Sequence, residues 1–176
     1  MIKESGIIFS ELESEAIDMP FGSKSGAGVI FGVTGGVTEA VIRRLSDDKS
    51  ATKLRTIAFN GVRGMQGTKE TTVPYGDREL KIAMVSGLKN AENLIQQIQK
   101  GEVQYDFVEV MACPGGCVSG AGQPITDIQG KKVRSAGLYA ADKMCSIKRS
   151  EENPVIMSMY SELLKGKVHK LLHVKY

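Results

Sequence analysis

The sequence predicts an α/β protein, a parallel-sheet lobe flanked by helices, and two observations carry that class. The first is a strand, helix, strand run. Leu80 to Val85 is a mostly apolar stretch, Leu88, Ala91, Leu94, Ile95 and Ile98 recur at helical spacing, and Phe107 to Met111 is a second short stretch with β-branched residues. Two strands joined by a helix of that length pair in parallel through a right-handed crossover. The second is composition: 176 residues, 41% apolar and 24% charged, suffice for one domain with its own core and argue against disorder.

Taken in order, Ile2 to Leu12 mixes apolar and charged residues around Gly6, and Glu11, Glu13, Glu15 and Asp18 lead to Pro20. Residues 1–22 therefore read as a linker, within a single domain spanning 1–176. Small residues dominate 23–28, and Val29-Ile30-Phe31 reads as a very short extended piece. Thr34-Gly35-Gly36 then opens a helix with Val37, Ala40, Val41 and Leu45 on one face. Such a glycine-rich entry either binds an anion at the helix N-terminus or packs closely on a neighbouring backbone. It has neither the full G-x-G-x-x-G spacing after a strand nor the Gly-Lys-Ser/Thr of a P-loop, so a nucleotide reading is weak.

Thr56 to Phe59 reads as a strand with Val62-Arg63-Gly64 as its turn, and Thr71–Tyr75 with Leu80–Val85 as a hairpin around Gly76-Asp77. Gly101 stops the helix that follows. After Pro124 a polar turn, Gln129-Gly130-Lys131, precedes a helix from about Val133 to Met144. Asn153-Pro154 opens another, with Pro at its first position and Val155, Met159, Leu163 and Leu164 as its apolar residues, and Lys167 to His173 forms a last short one.

The chemistry concentrates where the second parallel strand ends. Phe107 to Met111 runs into Ala112-Cys113-Pro114-Gly115-Gly116-Cys117-Val118-Ser119-Gly120-Ala121-Gly122-Gln123-Pro124, two cysteines among small or ring-locked residues. In parallel sheets ligands gather beyond the carboxyl ends of the strands, where Cys113 falls. Glycine lets backbone N–H groups approach a cofactor, and successive N–H groups form an anion site. The pattern suits an iron–sulfur cluster on Cys113 and Cys117, with Gly115, Gly116, Gly120 and Gly122 turned towards its sulfurs.

Other uses of the pair are less well matched. A C-x-x-C redox motif has one residue fewer, and a C-x3-C-x2-C radical signature needs a cysteine where Gly120 stands. Zinc held by Cys113, Cys117, His169 and His173 remains open, although some fifty residues separate the two pairs. The histidines also read as solvent-side or capping residues. Cys145 reads as a small buried hydrophobe on a helix.

A net charge of +3, scattered basic residues and no Trp give no sign of nucleic-acid binding. No apolar run is long enough to cross a bilayer, no signal segment opens the chain, and three cysteines suit reduced thiols; the expected location is cytoplasmic.

Glu109 to Pro124, read as Glu-Val-Met-Ala-Cys-Pro-Gly-Gly-Cys-x-x-Gly-x-Gly-Gln-Pro, resembles the third signature motif of the [FeFe]-hydrogenase catalytic domain. Gly26 to Val37, Val62-Arg63-Gly64 with Gly67, Ser86-Gly87-Leu88 and Leu171-Leu172-His173 agree with that resemblance in the same order. It implies the C-terminal half of the catalytic domain, with residues 1–22 crossing from the other half. The family's six-iron active-site cluster, the H-cluster, joins a [4Fe–4S] cubane to a two-iron subcluster and hangs on four cysteines. The motifs supplying the first two, T-S-C-C-P and M-P-C, do not occur here. Ala121 stands where the family usually has glycine, and Thr38 where methionine is common.

By resemblance, Cys113 ligates the cubane, Cys117 ligates it and bridges to the two-iron unit, and Met111 packs beside that unit. The implied reaction is reversible reduction of protons to H2 with electrons from a ferredoxin-like donor. The implied partner is the N-terminal half of the domain, without which the chain is inactive and clusterless. A hydrogenase-like iron–sulfur assembly protein, or a stand-alone zinc-binding interaction domain, are the alternatives.

Overall fold

A computed structural model describes all residues except 17, 19–21, 23, 46–60 and 174–176, so the predicted strand Thr56–Phe59 lies outside the described residues. The sheet order among them is β1-β2-β3. Strands β1 (Thr68–Tyr75) and β2 (Arg78–Ser86) form the predicted antiparallel hairpin, with Tyr75 opposite Arg78. Strand β3 (Phe107–Met111) runs parallel to β2, with Ile82 opposite Phe107 and Ser86 opposite Met111. The sheet is thus mixed, and its parallel pair carries the predicted crossover.

Because side chains alternate along a strand, the central strand β2 buries both faces. Leu80, Ile82 and Met84 pack with Ile42 and Val62, while Ala83 and Val85 pack with Ala91 and Leu94 of the crossover helix. Each of the larger side chains among them contributes about 2 kcal/mol of burial. A third cluster, Ile30 and Val33 against Val118 with Leu138 and Tyr139 beside them, joins the glycine-rich segment to the cysteine loop.

Among the described residues the α-helices are α1 (Gly26–Val29), α2 (Gly36–Leu45), α3 (Leu88–Gln99), α4 (Ile128–Met144), α5 (Pro154–Ser161) and α6 (Val168–Leu172). Asn153 caps α5 by accepting the Val155 and Ile156 N–H groups, with Pro154 at the first helical position as predicted. Cys145 is buried at the C-terminal cap of α4, where its thiol donates to the Ala141 carbonyl at 3.3 Å. Among the described residues no helix is long and apolar enough to cross a membrane.

Three local expectations are corrected. Val29-Ile30-Phe31 is helical rather than extended: Ser25 caps α1 by accepting the Gly28 N–H at 3.2 Å, and a 3-10 turn over Ile30–Gly32 continues it. Gln129-Gly130-Lys131 lies inside α4, because the Asp127 carboxylate caps the Gly130 N–H at 2.8 Å and starts the helix earlier. The most buried face of α2 is Thr38, Glu39, Ile42 and Arg43, while Val37, Ala40, Val41 and Leu45 are only half-buried.

Candidate metal centre

Strand β3 delivers the cysteine loop to a junction of four chain segments. The Gly87 N–H donates to the Met111 carbonyl at 2.8 Å, closing the end of β3 onto the turn before α3. The loop then folds on itself: Gly116 N–H donates to Cys113 O (2.9 Å), Ser119 to Gly116 (3.0 Å), Gly120 to Cys117 (2.9 Å) and Gln123 to Gly120 (3.0 Å). These successive tight turns leave Cys113 half-buried, Cys117 exposed and both thiols free. Met111 is half-buried where the strand ends.

Glycine is required at two loop positions. Gly116 has φ +96°, and a Cβ there would stand 2.8 Å from Thr34 N and 2.9 Å from Gly32 O. Gly115 has φ +87°, and its Cβ would meet the Met65 methyl at 2.4 Å. Both values lie in the left-handed region that side chains avoid. At Gly120 a Cβ would come within 3.8 Å of the Cys113 sulfur, whereas Gly122 faces open space.

The junction is held by polar ties. Thr34 N–H donates to Gly115 O at 3.1 Å, Gly115 N–H donates to Ser86 Oγ at 3.1 Å, and Ser86 N–H donates to Gly67 O at 2.7 Å. The Glu109 carboxylate is buried and accepts from Gly35 N–H (2.6 Å), Thr38 N–H (2.7 Å) and the Thr38 hydroxyl (2.8 Å). It caps α2, so of the two readings of the glycine-rich entry the anion position is taken by the chain itself. Lys69, also buried, donates to the carbonyls of Thr34 (2.9 Å), Val62 (2.7 Å) and Gly64 (3.1 Å). Burial lowers its ammonium pKa to about 8, against the opposing pull of Glu109.

A second buried network flanks this frame. Arg43 holds both Asp142 oxygens (2.9 and 2.8 Å) and Glu39 (2.5 Å), and Arg63 grips Glu39 through two 2.8 Å bonds while stacking over Tyr139 at 4.1 Å. Burial pushes the Asp142 carboxyl up, but the Arg43 hydrogen bond and charge, with Lys148 and Arg63, hold it below the usual range. Beside the loop, a cavity of about 170 Å³ opens between Val33, Met65, Ser135 and Tyr139.

Four of the five sequence segments that carry the family resemblance thus converge, through Thr34 to Gly36, Val62 to Gly67, Ser86-Gly87 and Cys113 to Gly120, while the fifth, Leu171-Leu172-His173, is exposed. His169 on α6 and His173 at its C-terminal cap are exposed, their rings 4.7 Å apart edge to face. Among the described residues no group of three or more His, Cys, Asp or Glu side chains is close enough to hold a metal, so the four-residue zinc set is not assembled. Sequence reasoning missed Lys69, Met65 and Asp142 and gave Glu109 no role. The one local signal was the i, i+4 spacing of Glu39 and Arg43.

Comparison with known proteins agrees with this convergence. Residues 1–121 match the family described as iron only hydrogenase large subunit, C-terminal domain, and residues 128–176 match iron hydrogenase small subunit. Iron hydrogenase 1 of Clostridium pasteurianum is 39% identical over 186 residues, covering 100% of this chain and 32% of that protein. A cytosolic Fe–S cluster assembly factor of Xenopus tropicalis is 27% identical over 183 residues, covering 100% of the chain and 38% of that protein. A solved [FeFe]-hydrogenase of Chlamydomonas reinhardtii superimposes with TM-score 0.67 at 37% identity, covering 99% of this chain and 52% of that one. The chain spans about a third of these curated relatives and about half of the solved structure. It belongs to the family of the iron-only hydrogenase large subunit, C-terminal domain.

Proposed function

We propose that this chain forms the C-terminal side of an [FeFe]-hydrogenase active site and serves the reversible reduction of protons to H2 with electrons from a ferredoxin-like donor. The observation that carries this reading is the cysteine loop itself: two free thiols four positions apart, on a backbone that closes against Thr34 at Gly116 and against Met65 at Gly115 because neither carries a side chain. The donor set fits an iron–sulfur group, since thiolates are its usual ligands and the surrounding loop exposes backbone rather than bulk. Cys113 would hold the [4Fe–4S] cubane of the H-cluster, Cys117 would hold the cubane and bridge to the two-iron subcluster, and Met111 would supply a soft wall beside it. When bound, the cluster supplies the electron storage and the site at which protons are reduced. Of the loop glycines, Gly115, Gly116 and Gly120 bring backbone near the thiols, while Gly122 shapes the exit of the loop.

The other partner in the proposal is the N-terminal half of the catalytic domain, which brings the two remaining cysteines. Leu88, Val110, Ile125, Val133 and Met144 are exposed apolar residues, an arrangement that suits a chain completed by further protein. Three free thiols suit a reducing compartment, and we place the protein in the cytoplasm.

The test is to restore the complete protein and replace Cys113 and Cys117 by serine in turn. Loss of the two-iron unit together with activity in Cys117→Ser, and a lost or labile cubane in Cys113→Ser, are the expected results by iron count and EPR. A Cys117→Ser protein with six irons and normal turnover would refute the assignment. The likeness to the assembly factor supports a second reading, in which the same loop carries clusters without hydrogen chemistry. A fully loaded complete protein that evolves no H2 would select it.

A further inference from the structure

We infer that Lys69 and Glu109 form a positioning device for the cysteine loop, acting through a single peptide group that they hold from opposite ends. The peptide joins Thr34 to Gly35. Its carbonyl accepts from the Lys69 ammonium at 2.9 Å, and its N–H donates to the Glu109 carboxylate at 2.6 Å. Two full charges of opposite sign thus fix the plane and direction of one peptide dipole in a buried setting, where charge-assisted bonds are strongest.

That peptide is in contact with the cysteine loop. The N–H on the other side of Thr34 donates to the Gly115 carbonyl at 3.1 Å, and the same Thr34 nitrogen, with the Gly32 carbonyl, fills the space a Gly116 side chain would need. Gly115 and Gly116 therefore rest on a surface whose orientation Lys69 and Glu109 set. Lys69 reaches the loop by a second route. Its other two acceptors, Val62 O at 2.7 Å and Gly64 O at 3.1 Å, hold the segment leading to Met65, whose methyl lies 2.4 Å from the Cβ position of Gly115.

The number of donors matches the task. An ammonium has three N–H bonds, and three carbonyls of separate peptides take all of them. Guanidinium is planar and presents its donors in a fork, so arginine does not reproduce this convergence. A buried lysine and glutamate are a poor way to add stability, because desolvation offsets most of their attraction. Their value here is directional: β1 supplies Lys69, β3 supplies Glu109, and both act on the entry of α2.

This inference rests on the proposed role of Cys113 and Cys117 for its purpose, but its test does not need a cluster. In the full 176-residue chain, alkylation of Cys113 by iodoacetamide is measured at pH 7 by mass spectrometry and expressed relative to Cys145 in the same molecule. Amide exchange across 112–120 is measured beside that of β2. Lys69→Met, Lys69→Arg and Glu109→Gln should each raise the Cys113 to Cys145 ratio by about tenfold, the response to losing roughly one charge-assisted bond. Exchange across 112–120 should quicken while Ile82–Val85 stays protected. Thr38→Val, which removes only the hydroxyl bond to Glu109, should move the ratio in the same direction by less. An unchanged ratio in folded variants overturns the inference. So does equal loosening of Cys145 and β2, or failure of all four variants to fold, since either assigns Lys69 and Glu109 a general structural role. A chain that behaves as expected yet never accepts iron would leave the positioning device standing and remove the proposed function.

Discussion

The buried ammonium of Lys69 makes a pH-dependent prediction that Lys69→Met should abolish. In the folded chain burial brings the loss of its proton down to about pH 8, compared with 10.5 for an ordinary lysine, while the Glu109 charge pulls the other way. Below pH 8 both folded and unfolded chains hold the proton, and the folded chain bears the full cost of burying the charge. Between about 8 and 10.5 the unfolded chain binds more protons, so stability rises with pH, and above 10.5 the cost is gone. The gap corresponds to about 3 kcal/mol, of which roughly two thirds is recovered between pH 7.5 and pH 10. Methionine has similar length and no titrating proton, so subtracting its stability from that of the parent chain at each pH cancels the other groups. Urea unfolding of both chains at pH 7.5, 8.5, 9.5 and 10 measures the difference. It should shift in favour of the parent by about 2 kcal/mol across the series. A difference that is flat, or that moves in favour of the methionine chain, would show that the three carbonyls and Glu109 fully offset the burial.

Gly116→Ala should destabilise the chain by more than about 3 kcal/mol, combining left-handed backbone strain with a Cβ pressed against Thr34 N and Gly32 O; the urea midpoint reads it. Asp142→Asn leaves the buried Arg43 with a weakened partner and should cost about 3 to 5 kcal/mol at pH 7. Because the Asp142 carboxyl sits below the usual range, its contribution is present at neutral pH and lost on acidification through that depressed value, so parent and variant should converge in acid. The chain alone, supplied with cluster and reductant, should evolve no H2, since Cys113 and Cys117 cannot saturate a cubane and the Cys145 thiol is buried against Ala141 O. Gas chromatography of the headspace decides this.

Local patterns made the βαβ frame legible: the nearly unbroken apolar run of β2, helical spacing through Leu94, and Asn153-Pro154 as a helix start are all short-range signals. The same kind of reasoning failed where long-range partners decide. Ile30 has a branched side chain suited to a strand, yet it packs against Val118, far along the chain, and the Ser25 cap draws the segment into helical turns. On α2 an apolar face was expected, but Arg43 finds Asp142 ninety-nine positions away, and no local pattern marks that pairing. The cysteine loop stood out because its residue types are rare together. Lys69 did not, since a lysine in a hairpin strand looks solvated until the three carbonyls that surround it are known.

The pairing of Arg43 with Asp142 also bears on covalent continuity. The connector from the cysteine loop to α4 is exposed from Ala121 to Ile125, while α2 meets α4 through the buried Arg43–Asp142 pair and α1 meets the segment just after α4 through Gly26 and Ala27 N–H bonds to Ile147 O and Lys148 O. Docking of α4 is therefore carried by contacts that survive a break in the connector. The peptide bonds there chiefly keep the two pieces at high effective concentration. The boundary between the two family matches, 121 and 128, falls across this same connector. Cutting this connector should therefore leave the joint assembled, because charge pairing, backbone bonds and the packing of Ile30 and Val33 beside Leu138 and Tyr139 hold it without a tether.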